Sequence, residues 1–133
     1  MTLAEIERVV AQAAAAEPSV LAAWVFGSRA RGEARAGSDL DVALLPVPGV
    51  EMPAGIEERL GAVIAGRTGL DVDVSRVGED RPLLSFEVVA EGRRVFARDE
   101  ARADVAEERI RWTYRDTERL RRVQSHYRYG DPL

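Results

Sequence analysis

Phe26-Gly27-Ser28-Arg29-Ala30-Arg31-Gly32, then Ser38-Asp39-Leu40-Asp41-Val42, with ten residues between Ser28 and Asp39, is the stretch on which the fold turns. The run leading into it, Val20 to Phe26, is wholly apolar and includes Trp24, which predicts a central strand covered on both faces. Gly27 closes that strand. Beyond it, Asp39 to Leu45 alternates: Leu40, Val42 and Leu44 point one way, and Asp39, Asp41 and Ala43 the other. A second strand is predicted there, with Ser38 as a turn residue before it.

Residues two apart in a strand share a face, so Asp39 and Asp41 stand together with alpha-carbons about 6.5 Å apart. Asp71 and Asp73 repeat the arrangement in a third predicted strand, Leu70 to Val74, whose apolar residues also occupy the opposite face. If the two strands are neighbours, the carboxylates converge. Two carboxylates about 5 Å apart repel by roughly 3 kcal/mol at an effective dielectric near 20, a noticeable share of a marginal stability. Positive charge is required, either a metal ion or arginines such as Arg29, Arg31 or Arg76. Asp71 and Asp73 share a face, so alternation leaves open which of them joins Asp39 and Asp41.

The chain has no cysteine and one histidine, His126, so any bound metal is held by oxygen. Magnesium suits such a cluster, since it keeps some waters and takes further oxygens from a nucleotide triphosphate. Gly27-Ser28 is expected to open a short helix, Ser28 to Gly32, whose backbone N–H groups favour an anion. Glycine admits close approach of a phosphate, the serine hydroxyl adds a hydrogen bond, and Arg29 is placed to neutralise charge.

Outward from this centre, Thr2-Leu3-Ala4-Glu5 reads as a capping box for a first helix to about Ala16, with Leu3, Ile6, Val9, Val10 and Ala13 on its apolar face. Pro46, Pro48, Gly49 and Pro53 mark a loop, and Ile56, Leu60, Val63 and Ile64 give a second helix ending near Gly66 to Gly69. Pro82 to Ala90 reads as helix, Gly92 stops it, and Arg93 to Phe96 adds a short edge strand. A last helix runs from about Asp99 to Tyr127, with Ala103, Ala106, Ile110, Thr113, Thr117 and Leu120 along one stripe, and Gly130-Asp131-Pro132 ends it. Trp112 and Tyr114 are expected to pack this helix, while His126 and the cluster Arg119, Arg121, Arg122 and Arg128 read as solvated surface.

The 133 residues suit one compact domain, 1–133, with 99–127 as a C-terminal helix packed on it. Hydrophobic residues at 46% and charged residues at 32% describe a soluble globule. The absence of a leader pattern and of a 20-residue apolar run points to the cytoplasm, away from membranes. A net charge of −4 argues against a domain built to grip nucleic acid, although every basic residue is arginine.

The pattern of Gly27-Ser28 with Asp39-Leu40-Asp41 resembles that of the nucleotidyltransferase superfamily related to DNA polymerase beta. It is most similar to the minimal nucleotidyltransferase (MNT) branch, antitoxins paired with a HEPN-domain RNase toxin; the strand with Asp73 and Phe86-Glu87-Val88-Val89-Ala90-Glu91-Gly92 support the likeness. The resemblance implies an α/β (α+β) polymerase beta-like fold, a small mixed sheet with helices packed on one face. It implies ATP as substrate and Mg2+, with two ions held by Asp39, Asp41 and Asp73, and nucleotide bound at Gly27, Ser28 and Arg29. Asp73 is the better match to the family's third carboxylate. The implied reaction is transfer of AMP to a tyrosine hydroxyl of a cognate HEPN toxin in a hetero-oligomer. A non-catalytic antitoxin that masks its toxin and a small-molecule (aminoglycoside-like) nucleotidyltransferase are the alternatives.

Overall fold

The computed structural model describes residues 1–33 and 39–129, with side chains in the last helix as far as Leu120 and at Arg122. The expectations for Ser38, Arg121, His126, Arg128 and the tail Gly130-Asp131-Pro132 lie outside the described residues or side chains. Eight elements follow one another: α1 (Leu3–Ala15), β1 (Val20–Phe26), β2 (Leu40–Pro46), α2 (Ile56–Thr68), β3 (Val72–Arg76), α3 (Pro82–Glu91), β4 (Arg93–Ala97) and α4 (Glu100–Tyr129). They form a mixed α/β structure around one four-stranded sheet in the order β3-β2-β1-β4.

β1 is buried at all seven positions because it lies between β2 and β4, antiparallel to both. β2 and β3 are parallel, and α2 makes the crossover between them, as parallel strands require. Leu40, Val42 and Leu44 face α1 and α2 and form the larger core with Val9, Val10, Ile56 and Ile64. The capping expectation for α1 holds: Thr2 Oγ1 accepts from the Glu5 N–H at 3.2 Å.

Helices were expected on one face, but they occupy both. A second core, with Leu21, Trp24, Ala43, Val77, Val88 and Ala103, lies where α3 and α4 cover the opposite side of β1. The reason is Trp24: its buried indole N–H needs an acceptor, and Glu107 of α4 supplies one at 3.2 Å. Glu107 is itself held by Arg94 of β4 at 3.3 Å. The β2–β3 end of this face carries aspartates instead of apolar residues.

β3 begins two residues later than the alternation suggested. Gly69, at φ +73°, ends α2 with its N–H on the Ala65 carbonyl, and the chain first meets β2 where the Leu40 N–H bonds the Asp71 carbonyl at 2.8 Å. The last helix also departs from expectation. Ala103 and Ile110 are buried and Tyr114 stacks on Phe86, with ring centroids 3.9 Å apart. Trp112 and Leu120, however, are 60% and 61% exposed: Trp112 stands two residues from both Ile110 and Tyr114, about 200° round the helix and so on the side away from the core, and a straight 3.6-residue helix turns Leu120 off the stripe. No described helix is long and apolar enough to cross a membrane.

Arg98 ties the end of α1 to the sheet. Its Nε donates to the Val20 carbonyl at 2.9 Å, and its Nη2 lies within hydrogen-bond reach of the carbonyls of Ala14, Ala15 and Glu17, the last at 2.9 Å. Ala14 and Ala15 belong to the last turn of α1, where the helix dipole favours a cation. Arg98→Ala is expected to destabilise the protein by about 2–3 kcal/mol, the range for charge-assisted hydrogen bonds. Urea unfolding followed by circular dichroism checks it; a loss below about 0.5 kcal/mol would show that water replaces the guanidinium.

Candidate functional site

The open end of the second face gathers the predicted residues. In the parallel β2–β3 ladder Asp41 pairs with Asp73, so their alpha-carbons stand one strand spacing apart, about 4.8 Å. In the antiparallel β1–β2 ladder Asp41 pairs with Phe26, which sets Gly27 beside it. A Cβ added to Gly27 would overlap Asp41 Oδ2, and Gly27 has φ +74°, so both the space and the backbone angle demand glycine. Asp39, exposed, precedes β2 by one residue, and Asp71, also exposed, precedes β3 by one.

The Asp41 carboxyl is held above the ordinary aspartate range. Burial is the main cause; the negative charges of Asp73, Asp39 and Glu87 add to it, while Arg31 opposes it. Glu87 was read from sequence only as part of a supporting segment. Its position on α3 brings it to the patch, which no spacing within its own helix could signal.

The short helix expected from Ser28 to Gly32 is instead a succession of turns, closed by Glu33 N–H to the Ser28 carbonyl at 2.9 Å and Arg31 N–H to the Gly27 carbonyl at 3.3 Å. Positive φ at both Gly27 and Gly32 leaves too few residues between them for a helix. Ser28 and Arg29 are half-buried on this turn. Arg31 pairs with Glu33 at 3.1 Å and with Glu91 at 3.4 Å. Arg76 meets Glu57 of α2 at 4.0 Å rather than the aspartates.

Among the described residues no three His, Cys, Asp or Glu side chains stand close enough to hold a metal ion alone. A hard divalent cation nevertheless fits the donor set, because magnesium is ordinarily held by one or two carboxylates and completed by waters and substrate phosphates. Two in-register aspartates, one of them already destabilised as an anion, present the charge and oxygen donors such an ion takes.

A Gly-Ser turn after a buried strand, followed by aspartates on two parallel strands, defines the nucleotidyl-transfer class of fold. Residues 9–101 match the family described as Polymerase beta, Nucleotidyltransferase, and the chain belongs to that family. No curated protein matches the sequence. A protein described as a minimal nucleotidyltransferase is 32% identical over 70% of this chain and 95% of its own, with a TM-score of 0.52. The fold is shared with a toxin-antitoxin crystallised with AMP-PNP, at TM-score 0.74, 18% identity, and coverage of 88% of this chain and 93% of the other. It is shared as well with a complex of a tri-AMPylated HEPN toxin and MNT antitoxin from Shewanella oneidensis, at TM-score 0.73, 16% identity, and coverage of 92% and 94%.

Proposed function

We propose that this chain is a cytoplasmic, magnesium-dependent adenylyltransferase of the MNT antitoxin type, which moves AMP from ATP to a tyrosine hydroxyl of a cognate HEPN RNase and so neutralises it. The observation that carries the reading is the Asp41–Asp73 pair beside Gly27, a bare alpha-carbon at the mouth of a carboxylate patch. The AMPylated toxin in the Shewanella complex supports a HEPN toxin as the acceptor protein.

Asp39 and Asp41, with Asp73, would hold the magnesium ions, which when bound supply positive charge at the oxygens of attack and departure. Gly27 lets a phosphate come against the turn, the Ser28 hydroxyl donates to a phosphate oxygen, and the Arg29 guanidinium offsets its charge. Asp73 positions the tyrosine hydroxyl and accepts its proton as the oxygen attacks the α-phosphorus. The bond from that phosphorus to the bridging oxygen breaks, and pyrophosphate leaves with the electron pair.

Labelled ATP, magnesium and the product of the adjacent gene, incubated with the purified chain, are expected to yield a labelled partner. Asp39→Asn with Asp41→Asn is expected to abolish the label. No transfer by the wild type, or undiminished transfer by the double variant, would sink the proposal.

A further inference from the structure

Outside the aspartate patch, the largest unexplained feature is one side of α4. Val105, Trp112 and Leu120 are the exposed large apolar residues among the described side chains of that helix, at 55%, 60% and 61%. With Arg109 and Asp116 they fall at spacings of four, three, four and four, which keeps all five on one side over about 22 Å of helix. Val105 and Arg109 also line a groove of about 760 Å³, closed on its other side by Pro46, Pro48, Glu79 and Asp80.

The stripe carries one charge of each sign. Arg94, Arg102 and Arg111 all meet carboxylates within their own chain. Arg109 and Asp116 have no ion-pair partner among the described residues, although both are exposed and Trp112 lies between them. The stripe's outer two pairs share one midpoint. Val105 and Leu120 are equidistant from a point between Trp112 and Thr113, and so are Arg109 and Asp116.

From this we infer that the α4 stripe is an isologous interface with a second copy of the chain, the two helices antiparallel and Trp112 on the two-fold axis. In that register Arg109 of each copy meets Asp116 of the other, so both charges find partners. Val105 of each copy meets Leu120 of the other, and that leucine closes the apolar rim of the groove. Trp112 meets its own counterpart, an aromatic anchor at the centre of the contact. The interface uses none of Asp39, Asp41 and Asp73 and is independent of the transfer chemistry.

Sedimentation equilibrium of the full chain, alone and over a range of micromolar concentrations, is expected to give twice the monomer mass. Arg109→Asp or Asp116→Arg alone places like charges together and is expected to weaken the dimer at least tenfold. The two combined restore opposite charges and are expected to return affinity to within threefold of wild type. Trp112→Glu is expected to give a monomer with an unchanged circular dichroism spectrum. A monomer mass at every concentration overturns the inference, as does a double swap no tighter than the single ones. It is equally overturned if Trp112→Glu spares self-association, or impairs only capture of the adjacent gene's product.

Discussion

Gly27→Ala is expected to lower AMP transfer at least 100-fold while leaving the protein folded. The new methyl would occupy the place of Asp41 Oδ2, so either the aspartate turns away from Asp73 or the Gly27 turn retreats from the phosphate it receives. A displacement of about 1 Å at a reacting centre is enough for a loss of that size. The substitution also carries a backbone cost of roughly 1–2 kcal/mol, because φ is +74° and an L side chain is strained there. Gly49→Ala separates the two effects. Gly49 has φ +77° with open space around it, so it incurs the backbone cost without touching the site. Comparable melting temperatures for the two variants with activity lost only in Gly27→Ala would establish the steric origin. Equal activity in both would refute it.

The sequence was most informative where one local rule acted alone. Val20 to Phe26 has no polar residue, and a strand without one has both faces covered. Asp41 with a partner on the third strand was legible because side chains alternate strictly in a strand, but alternation left Asp71 and Asp73 open, and it is the parallel register that sets Asp41 against Asp73. The turn at Ser28 to Gly32 was misread because a glycine's φ is not visible in sequence, and two positive values there exclude a helix. Coverage of the second face was missed because it depends on a contact 83 residues apart, the indole of Trp24 on Glu107. Glu87 belonged to the patch for the same reason: tertiary placement, not spacing, packs α3 against β1 and brings the Glu87 charge to bear on Asp41. Leu120 was placed on the apolar stripe by periodicity, which cannot tell how far a helix outlasts the sheet beneath it, and Trp112 was expected to pack this helix with Tyr114, although only Tyr114 does.

Asp41→Asn is expected to abolish transfer and, in the absence of metal, to make the protein more stable. The sign follows from the direction of the Asp41 shift. Its folded carboxyl is held above the ordinary value, first by burial and then by Asp73, Asp39 and Glu87, so the folded state binds this proton more tightly than the unfolded chain does. At neutral pH both states have lost the proton, and the folded state alone bears the cost of a half-buried anion among like charges. Asparagine removes that charge, keeps the shape and can donate to a neighbouring carboxylate. A gain of about 1 kcal/mol is expected, within the range found when an active site is relaxed and modest because solvent screens the patch. As pH falls through the raised folded value towards the ordinary one, the wild type takes up its proton and the difference between the two proteins closes. Magnesium with a non-hydrolysable ATP analogue should do the opposite to each protein, raising the melting temperature of the wild type but scarcely that of the variant, since the ligand binds the folded state only where Asp41 can hold the ion. The measurement is a set of thermal unfolding curves at several pH values, with and without metal and nucleotide. If the variant were less stable than wild type at neutral pH without metal, the Asp41 charge would be held by a partner rather than opposed by its neighbours, and the patch would be structural. A gain in stability joined to the loss of transfer is what a site shaped for a cation predicts: the same repulsion that weakens the empty fold is relieved when the ion and its nucleotide bind.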